Sequence, residues 1–267
     1  MRRGALVHLF FYAVGLLISV TPLSAESSVL PGGFDSSHAV YGLVLTHFVK
    51  EGLVDYAGLK ARSADLTRYL TAVSKVSSND FARWSQSDQL SLLLNLYNAQ
   101  TLALIVEHYP LKSIREIGWT HGAAWKMKIV NFRGATFSLE HLENEIIRKE
   151  YRDTRTHFAM VCASKSCPPL RREPYVGAEL NAQLEDQGRL FLRDPFKNRW
   201  DPQAKTLWLS SIFDWYADDF KKAGQPVLSA ASRYLPETTA AAITNNISGA
   251  IQVRFLNYDW SLNTQSR

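Results

Sequence analysis

Arg155-Thr-His-Phe-Ala-Met-Val-Cys-Ala-Ser-Lys-Ser-Cys-Pro-Pro-Leu170 holds both cysteines of the 267-residue chain and one of its seven histidines. Thr156 to Cys162 is apolar, β-branched and aromatic in bias and runs into a Ser/Lys/Pro cluster, which predicts a buried strand ending in a loop. Sites are built where strands end in polar loops. The stretch therefore locates a candidate site, with His157, Cys162 and Cys167 as its candidate reactive residues. By itself it specifies no reaction.

Working outward toward the N-terminus, Trp125, Met127 and Ile129 alternate with Lys126, Lys128 and Val130 before Asn131-Phe-Arg-Gly134. That predicts a hairpin with a four-residue loop. Ser138 is placed to cap a helix over Leu139 to Lys149, with Leu142, Ile146 and Ile147 facing inward. His141 and Glu145 stand four apart on it, a spacing able to bind a metal, but no third ligand lies nearby and a solvated face is the better reading. No metal and no cofactor is expected. Toward the C-terminus follow a helix from about Ala178 to Leu192, a short strand Thr206 to Leu209, a helix Ile212 to Phe220 and a last strand Ile251 to Leu256. The closing Asn257-Tyr-Asp-Trp-Ser-Leu-Asn263 is aromatic enough to be docked rather than frayed.

The longest helix is expected over Gln86 to His108, between Ser85, with Asp88 three residues later, and Pro110. Leucines and alanines leave it almost no polar side, so it should run through the middle of the domain. Asn95 and Asn98 are its exceptions. They share a face, and a buried amide without a partner costs about 1–3 kcal/mol, so both must be hydrogen-bonded. They either satisfy backbone groups of an adjoining loop or orient a catalytic histidine. Two further helices, one capped by Ser36 or Ser37 and ended by Gly52, the other capped by Ser63, read as packing elements. The fold class expected is α+β: a helix-rich single domain with a central apolar helix packed on a small mixed β-sheet, built from Trp125 to Val130, Thr156 to Cys162, Thr206 to Leu209 and Ile251 to Leu256.

Residues 1–25 carry Arg2 and Arg3, an apolar run and a small-residue site before Glu26, the pattern of a secretory signal peptide; an uncleaved anchor is the alternative. Residues 26–35 read as a flexible segment and 36–264 as the single domain. The formal net charge of +5 drops to +3 without the leader, and charges of both signs are interspersed. Nucleic acid is not an expected partner. The expected location is the periplasm or the exterior, with membrane contact only through the leader and an unknown small molecule or envelope protein as partner.

Taken together, Asn95-Leu-Tyr-Asn-Ala99, Ser138-Leu-Glu-His-Leu-Glu143, His157 through Pro168 and Tyr258-Asp-Trp-Ser-Leu-Asn263 resemble the domain of unknown function 547 family, over roughly Leu43 to Asn263. The resemblance implies shared positions at Asn95, Asn98, Glu143, His157, Cys162, Cys167, Pro168 and Asp259. It implies serine in plant relatives where Cys167 stands, which would give Cys162 a role beyond pairing. Met160-Val161 departs from the Leu-Asn of many relatives. The resemblance carries a domain extent and no reaction.

Two functions are open on these residues. A thiol beside an imidazole suits a hydrolase or acyl transferase, with His157 lowering the thiol pKa and Asn98 or Glu143 orienting the ring. Strand alternation would put His157 and Cys162 on opposite faces unless the strand ends or bulges before Ala163. Alternatively, the two cysteines of an exported chain form a disulfide and staple a non-enzymatic ligand- or partner-binding module. Asn98, Glu143, His157, Cys162 and Cys167 are expected to converge on one pocket, because buried polar groups are cheapest placed together.

Overall fold

A computed structural model describes residues 29–120, 122–244 and 251–265. The leader expected at residues 1–25 lies outside the described residues. The architecture is α+β with helix exceeding strand. The central helix spans Gln86–His108, starting where Ser85 accepts the Asp88 N–H in its Oγ (3.1 Å) and stopping at Tyr109, before Pro110. It is long and apolar enough to cross a membrane, yet 83% of its most apolar window is buried inside the protein. Leu92, Leu93, Leu94 and Ile105 are all but fully enclosed. Each such side chain contributes about 1.5–3 kcal/mol of burial, which makes the helix the spine of the larger core.

Ala64–Ser74 packs on that helix, and Ala39–Phe48 packs in turn on Ala64–Ser74. Their N-cap residues are His38 and Ser63, and neither caps with its own side chain. Instead the Asp35 carboxylate accepts from the Ser37 and Ala39 amides, both at 2.9 Å. The segment expected to be flexible is attached from Val29 onward: Val29–Leu30 pairs with Phe34–Asp35, and Phe34 is buried against Trp84.

A single sheet beneath the central helix is not what forms. Among the described residues, two-stranded pairs occur at Val29–Asp35, at Val49–Val54 and at Lys128–Ser138, and only Arg199–Asp201, Thr206–Leu209 and Gln252–Phe255 build a three-stranded mixed sheet. Ala123–Lys126 is a helical turn, so the hairpin begins at Lys128 and turns tightly at Arg133-Gly134, both with positive φ. Leu139–His141 begins the helix capped by Ser138, and Leu142–Tyr151 continues it with the wider π-helical turn.

The strand expected over Thr156 to Cys162 is corrected. Thr156–Ala159 is one turn of helix ended by Met160 in an extended conformation, and Met160 to Cys162 belong to no strand. The cause is the partner available to the backbone. Asp153 starts the turn by accepting the Arg155 amide (3.0 Å), and Asn98 then takes the place of a neighbouring strand. Its amide nitrogen donates to the Ala159 carbonyl (2.9 Å) and its oxygen accepts the Val161 N–H (2.8 Å).

A second core lies beyond this turn, around Phe158, Phe191, Phe213, Phe220 and the three-stranded sheet. Phe158 is 1% exposed and its ring meets four others, so the two cores are joined through the segment that carries His157 and Cys162. The C-terminal strap closes the seam. Val54 donates its N–H to Asn263, Lys165 to Ser261, and Tyr56 Oη donates to Asn263 Oδ1 at 2.7 Å.

Candidate functional site

A cleft of about 470 Å³ opens along the seam between the two cores. Glu143, His157, Cys162 and Cys167 all line it, although they come from a π-helical turn, a single helical turn and a loop. Asn98 does not reach it. It holds the backbone on either side of Met160, between His157 and Cys162, and is therefore a positioning residue. Asn95 does the same for Tyr175, bonding its carbonyl at 2.7 Å and its N–H at 2.9 Å. Neither asparagine bonds the Cys162–Pro169 loop or the His157 ring.

His157 is held on two sides. Its ring stacks on Tyr216 with centroids 4.0 Å apart, and Nε2 lies 3.0 Å from Asp219 Oδ2. Asp219 also accepts from Arg148 Nε at 2.7 Å. The His157 hydrogen bond and the Arg148 guanidinium hold the Asp219 carboxyl well below the usual carboxylate range, against the opposing effect of partial burial. An ionised carboxylate only accepts, so Nε2 is the nitrogen that carries hydrogen. In the neutral ring Nδ1 is then a bare lone pair, and it is buried with no protein partner.

Glu143 is 9% exposed and accepts from two phenols, Tyr97 Oη at 3.0 Å and Tyr216 Oη at 2.5 Å. Burial, followed by the Glu143 charge, pushes both tyrosines well above their ordinary value, so they remain donors. Tyr216 thus links the carboxylate to the imidazole it stacks on. Glu143 has no direct hydrogen bond to His157, and the orienting role expected for it or for Asn98 falls to Asp219.

The Cys162 and Cys167 sulfurs are at bonding distance, 2.22 Å, and among the described residues no cysteine is free. Ala163, in the left-handed region at φ 61°, turns the chain back between them. The loop is fixed from outside by the C-terminal strap: Ala163 accepts from Asn263, and Lys165 and Ser166 donate to Ser261 and Asp259. On its far side Gly52 fits where any Cβ would lie 2.6 Å from Pro169. The opposite wall of the cleft is aromatic, with Trp215 stacked on Trp260 at 5.7 Å and Tyr258 4.6 Å from Trp260.

A larger depression of about 700 Å³, lined by the charged side chains of Lys149, Arg152 and Lys222, lies behind the Arg148–Asp219–His157 group. Asn144, Arg148 and His157 line both and stand between the two. His141 and Glu145 do not form a metal site. Glu145 pairs with Lys149, His141 packs on Phe137, and among the described residues no group of three His, Cys, Asp or Glu side chains is placed to hold an ion.

Asp219, Arg148, Tyr216 and Tyr258 were not singled out as site residues by sequence reasoning. Asp219 adjoins Asp218 in the expected helix Ile212 to Phe220, and nothing local marks which aspartate turns inward. Its role has a measurable consequence. A carboxylate with a depressed folded pKa stabilises the fold above its unfolded value of about 3.9 and loses that contribution as pH falls through the folded one. Wild type should therefore be more stable than Asp219→Asn at pH 6 and lose that margin below about pH 4 in denaturant melts. A margin that stays constant down to pH 3 would mean that Asp219 is not held as the anion.

Residues 81–192 match the family model described as a protein of unknown function, DUF547. No curated protein and no solved structure matches the chain. The matched span is narrower than the resemblance read from the motifs, but it contains Asn95, Asn98, Glu143, His157 and both cysteines. Asp219 and the aromatic strap lie outside it. The likeness to DUF547, a family of proteins of unknown function, thus extends over residues 81–192.

Proposed function

We propose that the chain is an exported binding module whose seam cleft takes a small molecule with a flat apolar face and a hydrogen-bonding edge. The observation that carries this reading is the wall formed by Trp215, Tyr258 and Trp260, facing a floor of Glu143 and His157 across about 470 Å³. Apolar clefts with a few convergent polar groups are where small ligands bind. Aromatic rings supply area at little entropic cost, and the buried carboxylate supplies orientation. With the sulfurs joined, the cysteines staple the loop that forms one rim, in keeping with the oxidising compartment expected from the leader.

A second reading, a Cys/His-dependent hydrolase or acyl transferase, is favoured by one feature: the Asp219–His157 pair leaves Nδ1 without a partner, as a general base requires. It needs a free thiol, and the paired sulfurs count against it.

One experiment separates them. Sugars and aromatic acids titrated against the tryptophan emission of the purified protein should include a saturable binder, and Trp260→Ala should weaken it roughly tenfold or more with an unchanged melt. Equal binding by both proteins would move the site elsewhere. Turnover of a chromogenic thioester that is abolished by His157→Gln would instead establish the second reading.

A further inference from the structure

The two sulfurs in the cleft are not equivalent. Cys162 is half-buried and lines the opening, whereas Cys167 is 2% exposed. The Cys162 backbone N–H donates to Cys167 Sγ at 2.9 Å and to no other acceptor among the described residues. Tyr258 Oη donates at 3.2 Å and Ser164 Oγ at 3.5 Å to the same sulfur. Both hydroxyls also stand near Cys162 Sγ, at 3.3 Å for Tyr258 and 3.2 Å for Ser164, so the backbone donor is what breaks the symmetry.

From this arrangement we infer that the Cys162–Cys167 pair is exchange-active: it accepts electrons from a low-molecular-weight thiol entering the aromatic cleft, with Cys162 attacked and Cys167 leaving. Thiol–disulfide exchange runs fastest when the attacked sulfur is accessible and the leaving thiolate is stabilised. Donors aimed at a sulfur stabilise its anion in the way they stabilise an oxyanion. Burial pushes the Tyr258 phenol up, so it keeps the proton it donates.

The steps balance as follows. A thiolate forms a bond to Cys162 Sγ, the Cys162–Cys167 bond breaks, and its electron pair stays on Cys167 as the thiolate. A second thiolate attacks the small-molecule sulfur of the mixed disulfide and releases a low-molecular-weight disulfide. Cys162 leaves as the second thiolate, and solvent protonates both. Two thiols are oxidised to one disulfide, and the protein pair gains two electrons. The reverse sequence closes the pair. None of this depends on which ligand the cleft binds.

The test uses glutathione as the probe with the folded, oxidised protein. Incubation with reduced glutathione, quenching with iodoacetamide and peptide mapping should show both cysteines alkylated without denaturant. Oxidised glutathione should then form a mixed disulfide on Cys162 of Cys167→Ser about tenfold or more faster than on Cys167 of Cys162→Ser. In the reduced protein, Tyr258→Phe should shift the pH profile of Cys167 alkylation upward, which loss of packing alone would not do. Reduction of wild type only after unfolding overturns the inference whether or not the variants fold, and so does a preference for Cys167.

Discussion

Asn98→Ala should lower the stability of the protein by roughly 2–6 kcal/mol, since it orphans a buried carbonyl and a buried amide together at about 1–3 kcal/mol each. The side chain is 3% exposed, and neither the Ala159 carbonyl nor the Val161 N–H has a substitute partner from a neighbouring strand. Asn98→Asp is the informative companion, because it keeps the acceptor for Val161 and removes the donor to Ala159. Denaturant unfolding of both variants checks the expectation. A loss under about 1 kcal/mol for the alanine variant would mean that water reaches this backbone and that Asn98 does not set the path from His157 to Cys162.

Phe158→Ala should cost about 3–5 kcal/mol, the range for a large aromatic removed from a packed core. Its ring lies 5.5 Å from Phe191, 5.7 Å from Phe213 and 5.8 Å edge-on to Tyr234. The neighbours include Phe220, one residue beyond Asp219, so the vacancy reaches the group that holds His157. Unfolding followed by tryptophan emission and by far-ultraviolet circular dichroism should yield this loss. A change below about 1 kcal/mol would show that the second core closes around the gap without it.

The parts of the fold that were legible in the chain were those governed by residues close in sequence. The central helix runs from Gln86 to His108 as expected, because Ser85 and Pro110 act on their immediate neighbours. The short strand Thr206–Leu209 and the helix Leu180–Leu192 likewise follow local pattern. Thr156 to Cys162 was misread for the opposite reason. Its hydrogen-bond partner is a side chain 61 and 63 residues away, and a window of strand-forming residues does not distinguish a strand beside it from an asparagine across from it. The bland role for Asn95 and Asn98, satisfying backbone, is the one that holds. At the site, Glu143, His157 and the cysteines converge as expected. Their orienting partners Tyr216, Asp219 and Tyr258 come from the second core and the strap, whose approach depends on tertiary packing rather than on any motif spacing.

The strap has a consequence for how the protein is made. Tyr258 follows Cys167 by 91 residues, and the Asn263 contact to Tyr56 spans 207. At about 5–20 residues per second, synthesis separates the cysteines from Tyr258 by on the order of ten seconds. Throughout that interval the sulfurs are present without the phenol and with the aromatic wall incomplete, and the Val49–Val54 hairpin lacks the edge it pairs with. Cleft closure thus waits on residues translated well after the cysteines, and a growing chain passes through a stage in which its cysteine chemistry is governed by the surroundings rather than by its own fold.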